Sequence, residues 1–122
     1  GQIMLGPFLA AVIAITDGDT FKARIEVWPG VEISTAVRVM GIDTPELHGK
    51  CQDEKTKALA AKDRLTALLA AGPVSLAQVK FDKFGGRIDA IVLVGGKDVG
   101  QQLVAEGLAH PYSGGVKLPW CP

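Results

Sequence analysis

The first clear pattern along the chain is a period of two. Phe21, Ala23, Ile25 and Val27 alternate with Lys22, Arg24 and Glu26, which predicts a strand with one apolar and one wetted face. The run from Val31 to Met40 predicts a second such strand, with Val37 and Val39 on one face and Arg38 on the other. Gly41 and Pro45 then break it into a turn carrying Asp43 and Glu46. Val74 to Phe81, and the alternation of Ile88, Ala90, Val92 and Val94 up to Gly95-Gly96, predict two more. Ala10 to Ile15 is short, apolar and bounded by the acidic turn Asp17-Gly18-Asp19, which suits a first strand buried on both faces. The stretch from Ile3 to Ile15 is apolar enough to suggest an export signal. It lacks a basic leader and runs straight into the acidic turn, so a strand is expected instead.

Between the third and fourth strands the period changes. Ala58, Ala61, Leu65, Leu68 and Leu69 recur at helical spacing, Asp53 and Glu54 stand where the helix dipole favours negative charge, and Gly72-Pro73 ends the run. The basic residues of this helix read as a solvated face. A short second helix is expected after Asp98, whose spacing to Gln101 resembles a capping box, with Val99 and Leu103 inward and Gly107 closing it. Beyond Leu108 the composition is loop-like. The expected class is α+β, mainly β, with five strands, one long helix and one short helix; periodicity alone goes no further than an antiparallel sheet.

Composition narrows this picture. At 122 residues the chain is expected to form one domain, 1–122, able to bury roughly two thirds of its unfolded surface. With 48% apolar residues it is not a disordered chain, and no apolar run approaches the length of a membrane span. Thirteen basic residues face thirteen acidic ones, which argues against coating nucleic acid by counterion release but leaves room for a local phosphate site made from a few arginines.

Two cysteines are present, Cys51 after the acidic turn and Cys121 near the end. Two unrelated thiols and one disulfide are both open. The polar, Gly- and Pro-rich tail gives Cys121 no packing role, which favours the disulfide. Such a bridge would pin the tail beside the acidic turn, contribute about 4 kcal/mol and point to an oxidising compartment, periplasmic or extracellular. His48 and His110 are too isolated for a zinc site and are expected at the surface. No GxSxG nucleophile elbow is present.

The chemistry-bearing residues cluster in Asp17-Gly18-Asp19-Thr20, in Val37 to Glu46 and in Asp82-Lys83-Phe84-Gly85-Gly86-Arg87. Together they offer carboxylates for a cation and guanidiniums for an anion. With a late Gly107-Leu108-Ala109, these pieces occur in the order found in the thermonuclease, or staphylococcal nuclease-like, family, which the chain resembles from Val12 to Ala109. The resemblance implies a five-stranded OB-type β-barrel. It also implies Ca²⁺ held by Asp19, Asp43 and the Thr44 carbonyl, Glu46 as general base, and Arg38 and Arg87 on the phosphate. Lys83, Phe84 and Tyr112 take substrate-binding positions. The implied activity is Ca²⁺-dependent, sequence-nonspecific hydrolysis of single-stranded DNA and RNA to 3′-phosphate products by a monomer.

The chemistry of the residues fits these roles. Carboxylates are hard ligands suited to Ca²⁺, and guanidinium stays charged while presenting fixed paired donors. The plainer alternatives are a turn-forming acid at Asp19, a surface Glu46, arginines in ordinary ion pairs and a solvated Lys83. For Asp17 the turn-forming role suffices. The chain departs from the family pattern in an extra glycine before Arg87, in Phe84 where a hydroxylated aromatic is usual, in the earlier placing of Tyr112 and in lacking the final helix. The rival reading is a non-catalytic OB-fold module binding nucleic acid or protein.

Overall fold

The computed structural model describes residues 3–4, 6–82 and 86–122. Its strands are β1 (Ile3–Met4), β2 (Phe8–Asp17), β3 (Thr20–Trp28), β4 (Val31–Val39), β5 (Ile42–Asp43), β6 (Val74–Phe81), β7 (Arg87–Val94), β8 (Lys97–Asp98) and β9 (His110–Pro111). Helix α1 (Gln52–Ala70) lies between β5 and β6, and α2 (Val99–Ala105) follows β8. Strands pair in the order β6-β2-β3-β4-β7, and β7 pairs back with β6, so five strands close on themselves. This is the OB-type barrel expected from the resemblance. All of its pairs are antiparallel except β4 with β7, which is parallel.

The period-two strands fill the barrel as their pattern requires. Phe21, Ala23 and Ile25 of β3, Val37 and Val39 of β4, and Ile88, Ala90 and Val92 of β7 are buried, while Lys22, Arg24 and Glu26 are exposed. Helix α1 contributes Leu65 and Leu69 to the same core and buries Ala58 and Ala61, the stripe read from its spacing. Asp98 caps α2 by accepting from the Gln101 N–H at 3.1 Å, and Val99 and Leu103 face inward.

Two expectations fail. No residue of β2 is fully buried, and Leu9 and Ile13 are 62% and 53% exposed. A closed barrel has one interior, to which β2 offers Phe8, Ala10 and Ile15; its other side faces solvent. The tail is also not loop alone: β9 pairs antiparallel with β5, Asp43 opposite His110, so the residues after Leu108 return to the acidic turn. Cys51 and Cys121 form a disulfide across 70 residues, which fastens the tail to the start of α1. Cys51 is also the N-cap of that helix, its sulfur accepting from the Glu54 N–H.

Candidate active site

The parallel β4–β7 pair positions the arginines. Because Val37 and Val39 point inward, Arg38 points outward; Ile88 and Ala90 place Arg87 outward on the next strand by the same alternation. Arg87 lies opposite Ala36 and Arg38 opposite Asp89, so both guanidiniums leave the same outer face two residues apart in register. Arg87 Nε donates to Asp82 Oδ2 at 2.8 Å, and the Asp82 N–H donates to the Arg87 carbonyl at 3.1 Å. The extra glycine therefore does not carry Arg87 away, and it lines the same cleft as Arg38. Behind the pair, burial and then the charge of Asp82 push the Asp89 carboxyl up.

The acidic turns are pulled against this face. The Val39 N–H donates to the Asp19 carbonyl at 2.8 Å, and Arg38 Nη2 donates to the Ile42 carbonyl at 3.1 Å while standing 3.7 Å from Asp19 Oδ2. Gly18 permits the approach, since a Cβ there would lie 2.7 Å from Ala61 Cβ and 3.1 Å from Thr44 Oγ1. Asp19 accepts from the Thr20 hydroxyl, and its own N–H donates to Asp17. Burial, reinforced by Asp17, pushes the Asp19 carboxyl up to about 6 against the pull of Arg38 and Thr20. Asp43 and Thr44 are buried and Glu46 is exposed.

These residues surround one cleft of about 440 Å³, lined by Asp17, Asp19, Arg38, Asp43, Thr44, Glu46 and Arg87 among others. Guanidiniums and carboxylates lining one cleft suit a phosphodiester together with a hard cation. Among the described residues no three His, Cys, Asp or Glu side chains form a complete cation cage. A cation held by Asp19, Asp43 and the Thr44 carbonyl would need water in its remaining positions, an arrangement Ca²⁺ accepts. The donor set fits: Asp43 is 5% exposed and an ammonium, Lys117 Nζ, already stands 3.3 Å from its Oδ1.

Several contributors escaped the sequence reading. Glu54, read as a favourable charge at a helix start, is buried and accepts from the backbone N–H groups of Glu46 and Lys50, each at 3.1 Å. The Glu46 bond and then that of Lys50 hold its carboxyl below its ordinary value. Trp120 Nε1 donates to Asp43 Oδ2 at 3.3 Å and its ring stacks on His110 at 3.7 Å, so His110 is half-buried rather than a surface histidine. Lys117 and His48 also line the cleft. The signal for Trp120 was its place one residue before Cys121; nothing in the tail's composition marked Lys117.

A family model, staphylococcal nuclease homologue, matches residues 36–117, about two thirds of the chain. The chain belongs to this family. The match begins within β4, so Asp19 joins the set through the geometry of the β3–β4 pair. No curated protein matches the chain. Of the family's substrate-binding positions, Tyr112 does not line the cleft: its N–H donates to the Gly41 carbonyl, its hydroxyl donates to the Gly115 carbonyl, and Lys117 stands over its ring at 5.5 Å. Lys83 and Phe84 lie outside the described residues.

Proposed function

We propose that this protein is a Ca²⁺-dependent, sequence-nonspecific nuclease that hydrolyses single-stranded DNA and RNA to products carrying a 3′ phosphate. The observation that carries the reading is the convergence of Arg38, Arg87 and Glu46 with Asp19, Asp43 and Thr44 on one cleft. Arg38 and Arg87 grip the scissile phosphate and stabilise the charge it gains as a fifth oxygen adds. The backbone of Glu46 is fixed by Glu54 through its N–H, and by its own carbonyl accepting from the Gly49 N–H at 3.0 Å. Its exposed carboxylate accepts the proton of the attacking water or orients that water; the new P–O bond forms, the bond to the 5′ oxygen breaks, and that oxygen takes a proton from solvent. Asp19, Asp43 and the Thr44 carbonyl would hold Ca²⁺, which when bound would supply positive charge that eases ionisation of the water.

A grip on backbone phosphate carries no base identity, hence the low sequence specificity and the tolerance of both sugars. The reading takes the 122-residue chain as a single, monomeric domain. The disulfide supports a periplasmic or secreted location, and among the described residues no helix is long and apolar enough to cross a membrane.

The test is digestion of single-stranded DNA with Ca²⁺ and with chelator, by the parent protein and by Arg87→Ala and Glu46→Gln. The expected result is cleavage that requires Ca²⁺ and falls by about 10³-fold in the arginine variant and at least tenfold in the glutamine variant. A folded parent protein that binds DNA and never cleaves it would overturn the reading in favour of the non-catalytic binding module.

A further inference from the structure

Both carboxylate oxygens of Asp43 are engaged by the C-terminal tail. Lys117 Nζ stands 3.3 Å from Oδ1, and Trp120 Nε1 donates to Oδ2 at 3.3 Å. The tail reaches Asp43 because it is fixed at two points. The β5–β9 pair sets His110 opposite Asp43, and the Cys51–Cys121 disulfide secures the far end. The stacking of Trp120 on His110 joins these two anchors. Lys117 lies between them in sequence, 47% exposed, on a stem whose four carbons let its ammonium swing away without moving the backbone.

We propose that Lys117 is a resident counter-charge of the cation site: it neutralises Asp43 when no cation is bound, and Ca²⁺ displaces it from Oδ1. The inference rests on the reading of Asp43 as a Ca²⁺ ligand. A divalent ion and an ammonium cannot both sit against one carboxylate oxygen without strong like-charge repulsion, whereas the neutral indole of Trp120 can keep its hold on Oδ2. Displacing Lys117 weakens Ca²⁺ binding. Once released, the ammonium remains in the cleft, where a phosphate is its natural partner. The tail thereby makes cation affinity a property set by a residue 74 positions from the carboxylate it serves.

Isothermal titration with Ca²⁺ alone, without substrate, tests this on the parent protein, on Lys117→Met, and on Lys57→Met, which removes an exposed lysine of α1 outside the cleft. The expected result is that Lys117→Met binds Ca²⁺ about 2- to 5-fold more tightly than the parent, the range for losing one half-exposed ion pair, while Lys57→Met binds like the parent. Equal affinity in parent and Lys117→Met, weaker binding by Lys117→Met, or the same gain in Lys57→Met would each overturn the inference and leave the Ca²⁺ reading standing. No binding by any of the three proteins would overturn the Ca²⁺ reading itself and the inference with it. Circular dichroism of each variant confirms that the comparison is made between folded proteins.

Discussion

Asp19 and Asp43 line one cleft, their side chains only 14% and 6% exposed, yet their charges are answered from opposite directions. Asp19 is surrounded by what the barrel supplies. Arg38 across the β3–β4 pair is 3.7 Å away, the Thr20 hydroxyl donates to it, and Asp17 works against both. Asp43 is answered by Lys117 and Trp120, which arrive on a tail held by a disulfide. The difference separates two ways of tolerating buried charge. The tight turn between β2 and β3 fixes Asp17 two residues from Asp19, held by the Asp19 N–H donating to Asp17 Oδ1, so this unfavourable proximity cannot relax. A tethered tail can bring an ammonium to wherever a carboxylate needs one, provided the tether holds.

Breaking the tether gives the largest effect. Cys51→Ser/Cys121→Ser is expected to lower the unfolding free energy by about 4 kcal/mol in urea, by loop-closure arithmetic for a separation of 70 residues. Serine at position 51 preserves an N-cap oxygen for α1, so the loss reports the cross-link rather than the helix start. A change under about 1 kcal/mol would mean that β9 and the Trp120–His110 stack hold the tail unaided.

The barrel side is probed by Asp19→Asn in chelator. With its pKa raised to about 6, Asp19 favours the fold when neutral; that advantage is complete below the unfolded value near 3.8 and is lost as pH rises through about 6. Asparagine mimics the neutral acid. The variant should exceed the parent by up to about 3 kcal/mol at pH 8, from 1.36 kcal/mol for each pH unit between the two values, and match it near pH 3.5. A variant less stable than the parent at pH 8 would show that Arg38 outweighs burial and Asp17.

The third experiment concerns the loop that follows Asp43, which Glu54 holds. Glu54→Gln weakens the carboxylate acceptor that holds the Glu46 and Lys50 N–H groups. Cleavage is expected to fall by about tenfold, with the Ca²⁺ affinity of the folded protein little changed. An unaltered rate would show that Pro45 and the Gly49 bond fix Glu46 without it.

The barrel strands and α1 were legible because each buries a stripe at its own period: Phe21, Ala23 and Ile25 at two, Ala58, Ala61 and Leu65 at helical spacing. The same rule misread β2, since an apolar run does not disclose whether anything covers its second side. In the site, Asp19, Arg38, Asp43, Glu46 and Arg87 stood in recognisable short motifs, and the structure gathers them around one cleft. Glu54 was visible but assigned only to the helix dipole, because its acceptors' partners belong to a loop folded back over the helix start. Lys117 carried no local signal, and Trp120 only its place beside Cys121. Their roles exist only after β9 pairs and the disulfide closes, an arrangement written in long-range contacts rather than in periodicity.

The single parallel seam of the barrel has a consequence in time. An antiparallel pair of neighbouring strands can form as soon as its hairpin exists, but β4 and β7 can be joined only after everything between Val39 and Arg87 has been made. The arginine of each strand is sequence-local; the pair is not. A chain still emerging, or cut anywhere between β4 and β7, holds one of the two guanidiniums and not the pair. The paired guanidiniums thus come to one outer face only at barrel closure, and an incompletely folded copy of this protein lacks the pair by its own topology.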